Sequence, residues 1–170
     1  RDNSSYVNPR VDIAFKKLFA VEENKDLLID FINSIVSEAD QVQDIDILNP
    51  YSKQDFLTDK LSILDIRAQD KQGSYYNIEM QIGYEADYDK RALYYWADMY
   101  VKQLEPSNTY NQLKKVIGIH VLNFLSVPEN NRYHNVFSIH EQKDHFTRFT
   151  DMELHTIELV KFEKQHKDTS

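Results

Sequence analysis

The sequence predicts an α/β fold, a mixed central β-sheet flanked by helices. Three observations point to it. Residues 10–19, 24–36 and 88–104 carry apolar side chains at helical spacing. Leu61 to Ile82 alternates and is broken once by a polar turn, as two paired strands are. Val116 to Phe124, VIGIHVLNF, is almost continuously apolar and β-branched, the composition of a strand buried on both faces.

Composition sets the bounds. The chain has 170 residues, of which 41% are hydrophobic, enough for one domain with a real core. Cysteine is absent, which excludes disulfides and thiolate metal sites and fits a reducing compartment such as the cytoplasm. No run is long and apolar enough to span a membrane, and no signal peptide is visible. The net charge of −8 argues against a protein that coats nucleic acid along its whole surface. It leaves room for a local groove lined by Lys16, Lys17, Lys90, Arg91, Lys114 and Lys115. No phosphate-binding glycine loop is present, and no nucleophile can be placed beside a base.

In chain order, residues 1–8 read as a flexible lead-in and 9–163 as the core domain. Residues 164–170 read as a truncated tail, and the abrupt start and end read as those of a fragment. Ile13, Phe15, Leu18 and Phe19 are spaced for a helix, with Asp12 in its first turn. Asn24 is placed to cap a second helix, whose stripe is Leu27, Leu28, Phe31, Ile32, Ile35 and Val36. Val42 to Leu48 reads as a strand stopped by Asn49-Pro50, and 51–60 as a polar connection with Phe56 and Leu57 tucked back.

Two strands over 62–68 and 75–82 then form a hairpin with the loop Gln69–Ser74. Gly83 breaks the second of them. Tyr88 to Leu104 reads as a long helix, with Tyr88, Ala92, Tyr95, Trp96, Met99 and Gln103 on one face and Arg91, Tyr94 and Asp98 off it. The buried strand 116–124 follows, then a loop over 127–132, a strand over Tyr133–His140 and a last strand from Glu153 to Phe162. His120, inside the buried strand, is either a ligand or a hydrogen-bonded core histidine. His134, His140, His145 and His155 are scattered, with no zinc spacing.

The chemistry concentrates in the hairpin. Asp65 and Arg67 share one face of the first strand; Glu79 and Gln81 share one face of the second, about 6.5–7 Å apart. Carboxylates in apolar strands are costly unless something offsets their desolvation. If the strands pair antiparallel, Asp65 falls near Glu79, and two carboxylates plus a carbonyl make a hard-oxygen set for Mg²⁺ or Mn²⁺. Such a metal stabilises charge in phosphodiester displacement. Gln81, neither acid nor base, is suited to orient water or hold a phosphate.

The order Asp65, hairpin, YNIEMQ (76–81 within it) resembles the PD-(D/E)XK nuclease superfamily. More closely it is similar to the recombination-promoting nuclease and putative transposase family, which carries Glu-x-Gln where most of the superfamily has Glu-x-Lys. RVDIAFKKLF and IELVKF resemble the family's opening helix and a segment near the end of its core. The resemblance implies a restriction-endonuclease-like core and a metal-dependent DNA endonuclease linked to recombination or transposition. Asp65, Glu79 and Gln81 would be catalytic, and Asp65 and Glu79 would hold Mg²⁺ or Mn²⁺. Asp12, Lys16 and Arg91 would support the site or position DNA. The other reading of Asp12 and Lys16 is dipole compensation and a solvated face, and that of Arg91 a salt bridge to Asp87 or Glu85. DNA is the implied partner, with no membrane and with room for a homodimer. The alternative is a DNA- or partner-binding module on the same fold without catalysis.

Overall fold

The computed structural model describes residues 14–15, 17–49 and 65–162. Asp12, Lys16, the lead-in, the 51–60 connection, the start of the first hairpin strand and the tail lie outside the described residues. Six strands form one sheet in the order β1-β2-β3-β4-β6-β5. They are β1 (Ile45–Ile47), β2 (Asp65–Asp70), β3 (Tyr75–Gln81), β4 (Val116–Leu122), β5 (His134–Ser138) and β6 (Met152–Glu158). Pairing is antiparallel for β1/β2, β2/β3 and β5/β6, and parallel for β3/β4 and β4/β6, so the sheet is mixed.

Helices cover opposite faces. α1 (Lys25–Asn33) buries Leu28 and Ile32 against the face that carries Ile66, Ala68, Tyr76, Ile78, Ile117 and Ile119. α2 (Tyr88–Val101) lies on the other face, where Tyr88 and Ala92 pack with Leu122 and Phe124. Trp96 Nε1 donates to the Val116 carbonyl at 2.9 Å and fastens α2 to the central strand. The aromatic stripe thus serves packing. β4 is buried at every position, which is what its unbroken apolar run required.

Several boundaries differ from expectation for identifiable reasons. The last strand ends at Glu158, and 159–162 turn helical, although Ile157, Leu159 and Val160 favour extension. The turn brings Lys161 Nζ back to Glu158 Oε2 at 2.7 Å, while Glu158 Oε1 accepts from the amides of Ser126 and Val127. Tertiary bonds outweigh local propensity here. Asn24 makes no side-chain cap; it ends a short 3₁₀ turn that leads into α1, and Ile35 and Val36 fall beyond the helix. β1 is only three residues long, with Val42 buried outside it. Gln69 and Asp70 belong to β2 rather than the loop. Buried Asp70 accepts from Ser74 N and Tyr76 Oη, and Gly73 (φ 99°) makes the turn a side chain would strain. α2 stops at Val101, where the Gln103 amide exchanges two hydrogen bonds with the Lys114 backbone.

Two of the scattered histidines meet across β5 and β6. His134 Nε2 lies 2.9 Å from His155 Nδ1, and His155 Nε2 lies 2.5 Å from Glu153 Oε1. Lys115 Nζ joins Glu153 to Asp40, at 2.9 Å to each. The hydrogen bond from His155, with Lys115 beside it, holds the Glu153 carboxyl well below its ordinary 4.5, at about 2. A depressed carboxyl stabilises the fold above the unfolded value and loses that contribution as pH falls through the folded one. Glu153→Gln is therefore expected to cost of the order of 2–3 kcal/mol at pH 7, with the gap closing between about pH 4.5 and 2. Urea unfolding across that range checks it; a pH-independent gap would contradict the assignment.

Candidate active site

β2 and β3 pair so that Asp65 stands opposite Glu79. Both strands present these residues to the α2 face, away from the Ile66 and Ile78 core. The parallel β3/β4 ladder continues the row, with His120 beside Glu79, and β6 adds Thr156 beside His120. A line of polar side chains therefore crosses four strands under α2. Asp65 is 5% exposed and Glu79 2%. Two buried carboxylates on neighbouring strands carry a desolvation cost that positive charge facing them offsets.

Arginines supply that charge. Arg67, two residues on from Asp65 and on the same face, donates from Nε to Asp65 Oδ2 at 2.8 Å. That bond chiefly raises the Arg67 pKa. Arg91, one turn into α2, places Nη2 2.9 Å from Glu79 Oε1 and Nη1 2.9 Å from Glu85 Oε2. The Glu79 contact is close without the alignment of a hydrogen bond. Burial works against the Arg91 charge, but Glu79 and Glu85 outweigh it and raise the pKa. Tyr95 lies under the guanidinium, 5.4 Å from ring centre to carbon. The salt bridge expected for Arg91 thus exists with Glu85, but Arg91 also faces the site.

The backbone around Asp65 is pinned by a residue read only as a strand stop. Asn49 Nδ2 donates to the Asp65 carbonyl at 2.9 Å, and Asn49 Oδ1 accepts from Arg67 N at 2.7 Å. An asparagine before proline signals a turn, and nothing in the sequence ties it to a strand sixteen residues later. Arg67 was also legible only as a strand residue; its spacing of two from Asp65 was the available signal. Gln81, at the end of β3, donates from Nε2 to the Gly83 carbonyl at 3.1 Å.

His120 is fully buried, and its Nδ1 lies 2.8 Å from Tyr88 Oη. Burial, with Arg91 nearby, pushes the imidazole down to about 4, so it is neutral at ordinary pH. Of the basic residues expected to line a groove, Lys90 is exposed and paired with Asp87, and Lys17 and Lys114 are exposed. Lys115 is spent on Asp40 and Glu153, beneath the opposite face of the sheet.

A family model described as PD-(D/E)XK nuclease family transposase matches residues 9–170. The chain belongs to this family. No curated protein and no solved structure matches the chain. The mixed six-stranded sheet with flanking helices is consistent with the α/β core of PD-(D/E)XK proteins. Within it, YNIEMQ forms β3 and IELVKF forms the end of β6 and the helical turn after it.

The donor set suits a hard divalent cation. Asp65 and Glu79 offer two carboxylates side by side, and Mg²⁺ typically takes one or two, completing its shell with water and phosphate oxygens. Among the described residues, no group of three or more His, Cys, Asp or Glu side chains is placed to hold a metal ion. Among the described residues, no helix is long and apolar enough to cross a membrane.

Proposed function

We propose that the chain is a metal-dependent DNA endonuclease that hydrolyses phosphodiesters in recombination or transposition. The observation that carries this reading is the buried pairing of Asp65 with Glu79 in a chain of this family. Asp65 and Glu79 would hold Mg²⁺ or Mn²⁺, which would stabilise charge on the scissile phosphate and lower the pKa of an attacking water. Arg67 and Arg91 would then be free to turn their guanidiniums to phosphate oxygens, Arg91 in the bidentate manner that guanidinium geometry allows. The Gln81 amide, fixed by its bond to Gly83, accepts from the attacking water through Oε1. Asp12 and Lys16, which lie outside the described residues, are the further candidates to support the site or position DNA. DNA reaches it against a net charge of −8, so binding depends on these local cations and weakens with salt.

A second reading has its own support. Arg67 and Arg91 already neutralise the two carboxylates, as a binding module without chemistry would require. Nicking of supercoiled plasmid separates the two. The endonuclease cuts with Mg²⁺ or Mn²⁺, stops in EDTA and recovers when Mg²⁺ is restored. Binding without product in either metal would establish the module.

A further inference from the structure

Beyond His120, the polar row opens into a cavity of about 880 Å³ between α2, β4, β6 and the 123–133 loop. Its size falls in the range of small-molecule sites. Ala92, Leu93 and Leu154 give it an apolar wall, His120 and Thr156 give it two buried polar groups, and the exposed Asp89, Glu129 and Arg132 line it as well. Neither His120 Nε2 nor Thr156 Oγ1 has a partner among the described residues, and both atoms are buried. Buried polar atoms left unpaired are costly and uncommon, so each calls for an occupant.

The proton on His120 can be placed. Nδ1 is the only partner of the protonated Tyr88 hydroxyl among the described residues; the reverse direction would leave both the hydroxyl hydrogen and Nε2 unpaired, so Tyr88 donates to Nδ1 and the neutral ring carries its hydrogen on Nε2. Nε2–H is then a donor without an acceptor. Gly118 lets Leu154 pack close beside it: a Cβ there would collide with Leu154 and lie 3.1 Å from Nε2. At the rim, Asn135 Oδ1 accepts from Asn130 and Arg132 and orders the loop that closes the cavity.

We propose that this cavity is a base-binding subsite that takes the unstacked base of a nucleotide next to the scissile phosphodiester. The adjacency rests on the endonuclease reading above. A nucleobase matches the cavity on each count. Its faces suit the apolar wall. Its ring nitrogens or carbonyls accept from His120 Nε2–H, and the Thr156 hydroxyl donates or accepts along the same edge. Two strand spacings, about 10 Å, separate Glu79 from Thr156, within reach of the neighbouring nucleotide.

The test uses the whole chain with ¹⁵N-labelled histidine, in EDTA, titrated with each common deoxynucleoside monophosphate. The His120 Nε2 resonance is expected to show a protonated nitrogen and to move with at least one nucleotide. Thr156→Val, of similar shape, weakens that binding about fivefold, the loss of one hydrogen bond. Inorganic phosphate alone leaves the resonance in place; an equal shift with phosphate would make this an anion site and overturn the proposal. No shift with any nucleotide at millimolar concentration also overturns it, whatever the plasmid assay gives. A shift in a protein that does not nick plasmid keeps the base pocket and removes the endonuclease reading instead.

Discussion

Asp65→Ala is expected to slow DNA cleavage by about 10³-fold or more and to leave the fold intact. The size follows from losing several kcal/mol of charge stabilisation at about 1.4 kcal/mol per tenfold. The fold is expected to survive because, among the described residues, the substitution strands no buried charge. Arg67 is a third exposed and turns to water, and Asn49 and the β2/β3 ladder hold the backbone without the side chain. Asp65→Asn removes one of two neighbouring buried negative charges. It is expected to be equally inactive and as stable as the parent or more so, as when a site is strained for function. Plasmid nicking and thermal unfolding on the same preparations check both. A folded Asp65→Ala protein that cuts at the parent rate would contradict the site.

Lys161→Ala is expected to be the most destabilising of these substitutions, at about 3–5 kcal/mol, because it leaves a buried carboxylate uncompensated. Glu158 has no exposed surface and Lys161 is buried. Together they grip the chain after β4: Glu158 takes the Ser126 and Val127 amides, and Lys161 gives a hydrogen bond to the Val127 carbonyl at 2.5 Å. That grip shapes the loop closing the cavity beside His120. A Glu158→Gln, Lys161→Met double variant recovers part of the loss, since neither charge is then stranded. Urea unfolding measures all three, and a Lys161→Ala cost below about 1 kcal/mol would show the pair to be solvated.

The architecture was readable because periodicity carries it. The apolar run of β4, the hairpin alternation and the α2 stripe each require one kind of element, and their order already gave six strands with helices between. Asp65, Glu79 and Gln81 could be singled out because acids and amides are conspicuous in apolar strands. Their cations could not. Arg67 and Arg91 look like ordinary surface arginines until the β2/β3 register and the α2 position bring them to the carboxylates. The His120–Thr156 cavity was equally hidden, because it depends on β4 and β6 lying side by side across thirty residues of chain. The helical turn after Glu158 was misread because its residues favour strand, and only the Ser126–Val127 loop it grips decides otherwise.

The decisive measurement is the anomalous scattering of crystals soaked in Mn²⁺. The expected result is one ion bound at about 2.0–2.3 Å to oxygens of both Asp65 and Glu79, with Arg67 and Arg91 drawn off them. Crystals in which both arginines keep their carboxylates and no ion lies between Asp65 and Glu79 would contradict a metal-dependent nuclease at this site.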